Sequence, residues 1–533
     1  MSAPVVVPSQ PGPLPRWLLP LVLATAALAF VPALGVGFLG DDFVYVARFR
    51  ELSWADAPGL FLRDWSGGVW GQPLKELRPF AALSLMIDGR LWGGHVAGYR
   101  IVNLALHLAA TALVVRLAWR FAGGRAQAAL VAGLVFAVHP AHGEAVTWIT
   151  GRPDLLGTVA ALAFFVAGES YSANGRRRAA AGGLLALLVG VFTKEFCLTV
   201  PLLLVVRWAA LDAHAGRVVW RRRGGLLLGA LLVVACYALA RRAAFGVDPT
   251  TGFFGWNDAP AWQRQAGYWG WLAPVLPFTT GAAWAATPAM EVLRAVWIAI
   301  AAAVALALVL AAVRRAPWGG AVFFGGFWWL ATTTGLFVAV YFSPRHLYLP
   351  TAGVAVGLGL ALGAGRVRRA LAAALLLWAL AAHVAALRPW LEAGRISREV
   401  LAALDSDLAG TDDATLALVS VPETFGPVLL WAWSSPHALG APFLARPVPP
   451  DRVLERVVNY VRADRWLPDR RPLEAVRAAS GAAAVHVDSA GRVHHRRLSR
   501  AELQQRGDLL ESLVAQGLNP DNLSAWLKSC AVP

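Results

Sequence analysis

Charge is what this sequence has least of. Only 15% of its 533 residues are Asp, Glu, Lys or Arg, 57% are hydrophobic, and the mean hydropathy is +0.54. An average soluble domain carries about 25% charged residues, so the composition excludes one and reads as a polytopic membrane protein. Cysteine is scarcer still. Of three, Cys197 and Cys236 lie inside apolar runs and Cys530 near the end, which excludes a disulfide framework and a four-ligand zinc site. No repeat with a period of about 20 to 50 residues is visible, nor two inverted halves of the kind many secondary transporters carry. The net charge of +16 does not point to nucleic acid. Its arginines fall in short clusters between apolar runs, where they hold loops on the cytoplasmic side.

What the chain does have is apolar runs of spanning length, about 20 residues each. The first, Trp17 to Leu39, exceeds the roughly 7 to 15 residues of a signal-peptide core and has no small-x-small cleavage site. It is expected as an uncleaved span behind a cytoplasmic tail, 1–16. The others are 100–120, 126–142, 154–172, 179–194, 196–212, 224–242, 291–313, 319–341, 347–364 and 370–388, about eleven in all by the length criterion. With the N-terminus inside, the clusters Arg116/Arg120/Arg125, Arg176 to Arg178, Arg217/Arg221 to Arg223, Arg314/Arg315 and Arg366/Arg368/Arg369 all fall inside. Arg241 and Arg242 fall outside. The stretch 262–285 is broken by Pro274 and Pro277 and is expected as a re-entrant or interfacial segment. The membrane domain is therefore 17–390, with a large outer loop at 40–99. Beyond it, 391–533 reads as a small soluble α+β domain on the outer side, with a strand at 415–421, a helix at 453–463, a hairpin at 483–497 and a helix at 500–516. The expected location is the bacterial inner membrane.

This topology sorts the unusual polar residues onto one face. Asp41 and Asp42 follow directly on the first span; Arg78 lies in the outer loop; "HPAHGEAVTWITGRPD" brings His139, His142, Glu144, Arg152 and Asp154; "FTKEF" brings Lys194 and Glu195; and "YFSPRHLYLP" brings Arg345, His346 and Tyr348. Ionisable groups at membrane depth are costly and face a cavity or one another. Each also has a plainer reading. The aspartates suit a helix cap, Glu144 and Arg152 an ion pair, the two histidines a local hydrogen bond, and Lys194 and Glu195 an interfacial anchor.

Four of these stretches, "RPFAALSLMIDGRLWGGHVAGYRIVNLALHLAATALVV", "AVHPAHGEAVTWITGRPDLL", "FTKEFCLTVPLLL" and "SPRHLYLPTAGV", occur in an order that resembles the transmembrane-and-tetratricopeptide-repeat O-mannosyltransferase family and its bacterial relatives, within the GT-C superfamily. The likeness runs from about residue 38 to 365. It implies an all-α, GT-C-like membrane fold, a donor sugar on a polyprenyl phosphate, a protein or glycan acceptor, and a role in the reaction for Asp41 and Asp42. The animal members end in tetratricopeptide repeats, which this chain lacks.

The residues suit that chemistry. Transfer to a hydroxyl needs a base for the acceptor proton, and Asp42 is preferred over Asp41. The departing phosphate needs cations, and an arginine fork fits phosphate better than lysine does. The candidates are Arg345, Arg152, Lys194 and Arg78, with His346 beside them, and the cavity is completed by His139, His142, Glu144, Asp154, Glu195 and Tyr348. One base without a second nucleophile suits inversion. Asp41, Asp42, Glu144 and Asp154 could hold a divalent cation by hard oxygen, so metal use stays open. A transporter or flippase would place its charges near the midplane; a lipid-linked saccharide ligase or polymerase would share the donor and differ in acceptor. The tail, with no acid and cation cluster of this kind near the membrane, is expected to be dispensable for the chemical step.

Overall fold

A computed structural model describes residues 12–68, 74–212, 216–246, 318–334, 343–363, 365–431, 435–455, 471–517 and 520–532, with separate helical positions between 302 and 313. The apolar runs are helices: Leu18–Phe30 (α1), Val96–Phe121 (α4), Ala126–Ala137 (α5), Arg152–Asn174 (α7), Arg177–Val191 (α8), Val200–Leu211 (α9) and Arg217–Phe245 (α10). The outer loop contributes Asp42–Glu51 (α2) and Pro79–Trp92 (α3), and a short helix, His142–Thr147 (α6), follows α5. Further on come Gly319–Val322 (α11), a π-helical turn Phe323–Trp328, Trp329–Thr334 (α12), Tyr348–Leu362 (α13) and Arg366–Leu408 (α14). The expected segment 262–285 lies outside the described residues, as does the span 291–313 apart from the separate positions.

Among the described residues five stretches, Leu18–Gly35, Val96–Phe121, Ile149–Asn174, Arg217–Phe245 and Arg366–Leu408, are long and apolar enough to cross a membrane. The shorter α5, α8 and α13 occupy expected spans but give way at the ends that carry the candidate residues to turns or 3-10 pieces. After α5 the chain turns into α6, α8 passes through Lys194 into Glu195–Thr199, and α13 is preceded by Pro344–Leu347. Irregular backbone at that depth is tolerated only inside protein or along a cavity, and most of the candidate residues sit on these pieces. At the opposite end of α7, Gly175 adopts φ +69 and ends the helix before Arg176, a left-handed cap that glycine adopts without steric cost.

Leu228, Leu231, Leu232 and Leu239 of α10 and Leu371, Leu377 and Leu380 of α14 are exposed, an apolar surface suited to lipid. By contrast α13 is buried from Tyr348 to Gly357. It packs so closely on α5 that a Cβ at Gly359 would lie 2.3 Å from the Ala128 carbonyl oxygen; small residues permit such close approach.

Helix α14 is 43 residues long, about 65 Å at 1.5 Å per residue, roughly twice the hydrocarbon thickness of a bilayer. Its first half is apolar; from Arg388 onward charges recur. The boundary expected at 390/391 thus falls inside a continuous helix, not in a linker. The tail then forms a four-stranded sheet in the order Val453–Glu455 (β4), Leu416–Ser420 (β1), Gly481–Val487 (β5) and Val493–Ser499 (β6), parallel across β4, β1 and β5 and antiparallel between β5 and β6. Thr424–Phe425 (β2) and Val428–Leu429 (β3) make a small ribbon. The expected helix 453–463 instead begins as β4, because Val453 and Leu454 are buried in pairing with β1; 456–470 lie outside the described residues. The helix expected at 500–516 is Arg500–Gln516, started by a capping box between Ser499 and Glu502.

Candidate functional site

Between α1 and α2 the chain leaves the membrane through residues 36–41, and this segment is held from below by carbonyl bonds. Arg100 of α4, fully buried, donates to the carbonyls of Val36, at 2.5 Å, and Gly37, at 2.6 Å, and to that of Thr147, at 2.8 Å. Trp148 donates its indole N–H to the Leu39 carbonyl at 3.1 Å. Gly40, at φ +47, turns the backbone into α2.

The two acids at this turn have different surroundings. Asp42 has no exposed surface; one carboxylate oxygen accepts the Leu39 N–H at 3.1 Å and the other the Thr150 N–H at 3.2 Å. Arg100 is 3.8 Å away, its donors already committed to carbonyls. Burial therefore outweighs its charge and pushes the Asp42 carboxyl up to about 7. Asp41, one residue earlier, is half-buried at the start of α2.

Trp148 connects this turn to a charged wall. The Arg345 guanidinium lies 4.6 Å over its ring, pairs with Glu144, accompanied by Ser343, and stands 3.6 Å from Asp154. Lys194 reaches the same Asp154 oxygen at 3.2 Å. Beside them Arg78 pairs with Glu76 at 2.8 Å and Glu195 at 3.1 Å. Burial alone would lower the Arg78 value, but the two carboxylates more than offset it and the net shift is upward; burial raises Glu76 despite Arg78. His346 is buried, and burial together with Arg345, Lys194 and Arg78 holds it well below the usual histidine range, so its ring is neutral near pH 7. The wall thus carries Arg345, Lys194, Arg78 and His346 together, each cation already aligned by a carboxylate.

Several buried polar atoms here have no hydrogen-bond partner among the described residues: Arg78 Nε, Asp154 Oδ1, Thr150 Oγ1, Trp65 Nε1 and the Tyr237 hydroxyl. Native interiors leave few such atoms unsatisfied, and a polar ligand or water is what such groups bind. Among the described residues no group of three or more His, Cys, Asp or Glu is arranged to hold a metal ion.

Four expected site residues sit elsewhere. Arg152 is completely enclosed and bonds Asn103 at 2.5 Å, Ser84 at 2.5 Å, Asp88 at 2.6 Å and the Tyr99 carbonyl at 3.0 Å. Its fork ties α3, α4 and α7 together and has no face toward the wall. His142 bonds Thr351 at 2.7 Å, Tyr348 bonds His107 at 2.6 Å, and His139 accepts from the Ala141 N–H at 3.2 Å. With Phe136 these rings pack edge to face in the helix bundle. Sequence reasoning overlooked Arg100, Trp148, Glu76 and Tyr237. The only signal for the first was an arginine in an outer half-span, where a charge needs a reason.

No protein-family model matches the chain. It is similar to curated protein O-mannosyl-transferases: 35% identical over 230 residues to Tmtc2 of Drosophila melanogaster, covering 40% of this chain and 24% of that protein. It is 32% identical over 187 residues to Tmtc1 of the same species, covering 33% and 21%, and 32% identical over 171 residues to TMTC4 of Homo sapiens, covering 28% and 22%. The match spans less than a quarter of each relative's length. In fold, the chain is similar to the crystal structure of ArnT from Cupriavidus metallidurans bound to undecaprenyl phosphate, over 89% of this chain and 93% of that one, with a TM-score of 0.50 and 14% identity. The chain thus shares the fold of that membrane-protein structure over most of its length.

Proposed function

We propose that this chain moves a sugar from a polyprenyl-phosphate carrier to a hydroxyl acceptor at the outer face of the membrane. The observation that carries this reading is the meeting, across Trp148, of an acid-bearing turn and a wall of cations. The relatives' names make mannose the first sugar to test, and the carrier lipid in the ArnT structure makes undecaprenyl phosphate the first carrier.

Roles follow from surroundings. Asp42 has both oxygens engaged and no exposed surface, so the preference stated from sequence is exchanged. Asp41 takes the acceptor proton and Asp42 fixes the turn from which Asp41 projects. As the acceptor O–H gives its proton to the Asp41 carboxylate, its oxygen bonds to the anomeric carbon and the bond from that carbon to the phosphate oxygen breaks. The electron pair stays on the phosphate. Arg345, Lys194 and Arg78 stabilise that charge, and neutral His346 offers a ring N–H. Displacement from the side opposite the phosphate inverts the anomeric centre.

The test is transfer by the purified chain in lipid from undecaprenyl-phosphate-mannose to a hydroxyl acceptor, with glycan mass analysis of cells with and without the chain to identify sugar and acceptor. Donor translocation across a vesicle without glycosyl transfer would replace this reading with a flippase.

A further inference from the structure

The C-terminal domain touches the acid-bearing turn. The Gly40 N–H, two residues before Asp42, donates to the Leu430 carbonyl at 2.8 Å. A Cβ at Gly40 would lie 3.1 Å from that of Leu429, so tail and turn are in close contact. Ser397 on α14 donates to the Phe38 carbonyl at 2.7 Å and accepts the Trp431 indole N–H at 2.9 Å; a serine hydroxyl has one donor and spare acceptor capacity, so both bonds coexist in one relay. Trp431 is fully buried with its ring edge-on to Phe43 at 5.5 Å, and Phe443 meets both Phe38 and Phe43 at 4.9 Å. The membrane helices grip the same turn from the other side through Arg100 and Trp148.

We infer that the C-terminal domain is a positioning element of the site: Trp431 and Ser397, with the Leu430 carbonyl, set the backbone from which Asp41 and Asp42 project. This rests on the glycosyl-transfer reading above and replaces the expectation that the tail is dispensable for the chemical step. The relay from Trp431 through Ser397 ends on the Phe38 carbonyl, so both side chains act through the 38–43 backbone. Misplacing a reacting group by about 1 Å costs up to roughly a hundredfold in rate. The cost falls on turnover, because the cation wall is built from other segments.

The test uses the full chain in lipid. Trp431→Phe keeps an aromatic ring and deletes the indole N–H; Ser397→Ala deletes both links of the relay. Val476→Ala lies in the tail's separate core with Leu418, Leu503 and Leu510, and weakens the tail without touching the turn. We expect kcat to fall about ten- to a hundredfold in Trp431→Phe and Ser397→Ala, with donor KM within about twofold. The double variant should be little worse than either single one, since one relay is cut, and Val476→Ala should keep wild-type kcat. Hydrogen exchange at the peptide covering 38–43 should quicken in the first two variants and not in Val476→Ala. Faster exchange with unchanged kcat, or unchanged exchange, overturns the inference, as does an equal kcat loss in Val476→Ala. If wild type transfers no sugar, the functional reading fails, and exchange at 38–43 still decides whether the tail holds the turn.

Discussion

Replacing Asp42 by asparagine separates a structural acid from a reacting one. The carboxylate accepts two backbone N–H groups, one on each oxygen. An amide has one oxygen, so Asp42→Asn turns an NH₂ toward either Leu39 or Thr150 and leaves that buried donor unpaired, a cost of about 1–3 kcal/mol. Arg100 also loses the one carboxylate beside it among the described residues. Breaking a buried pair costs about 3–5 kcal/mol, but this pair is long, at 3.8 Å, and Arg100 keeps three carbonyls, so the total should be about 2–4 kcal/mol. The effect is pH-dependent. In the folded chain the Asp42 value is raised from 3.8 to about 7, so the folded state binds the proton more tightly than the unfolded one. Wild-type stability from this group therefore falls as pH rises from about 4 to about 7, by at most about 1.4 kcal/mol per unit. Asparagine does not titrate. Heat-induced loss of folded protein in lipid should show the largest deficit for Asp42→Asn near about pH 4, a shrinking one through about pH 7, and the smallest near about pH 8. A variant as stable as wild type at the lower pH would refute the claim that this carboxyl holds the turn.

Asp41→Asn should fold normally and bind donor, yet transfer sugar about 10²–10⁴-fold more slowly; full activity on purified protein would remove the proton acceptor from the proposal. For the phosphate, Arg345→Ala should raise donor KM more than Arg345→Lys, since lysine keeps the charge and loses only the fork; wild-type kinetics in both would return Arg345 to a structural partner of Glu144. Arg152→Lys should instead lower thermal stability with donor KM unchanged, because its fork ties Ser84, Asp88 and Asn103; a selective KM effect would contradict that assignment. In a cysteine-free background, Ala55→Cys and Ser489→Cys should react with a membrane-impermeant thiol reagent from outside, and Ala173→Cys only after the membrane is opened. The reverse pattern would invert the topology.

The helix-rich membrane body was legible because burial in lipid leaves a one-dimensional mark, a run of apolar residues. Local signals served the tail equally well where they were strong: the Ser499–Glu502 capping box started a helix where one was expected. What escaped was whatever depends on residues far apart in sequence. Val453 and Leu454 suit a helix face and a strand alike, and only pairing with β1 decides. Pro389 sits inside α14, although a proline there would ordinarily argue for an end. Arg345 led Arg152 as a phosphate candidate because it lies in a short loop between spans; the packing of α3 and α4 around Arg152 separates the two further. Asp41 and Asp42 differ by one residue and about 100° of helix, and one of the groups that engages Asp42 is the N–H of Thr150, 108 positions away.

The uninterrupted α14 fixes the mechanics of the outer half. A domain on a slack tether explores a volume and must be captured anew each time it docks. Here the last membrane helix is itself the mast on which the tail is mounted, so the tail's bearing is settled when that helix forms. Pro389, the one internal residue without an N–H to donate, marks where such a mast would flex. Because the Gly40 N–H bonds the Leu430 carbonyl, a bend of the mast at Pro389 is transmitted to the acid turn.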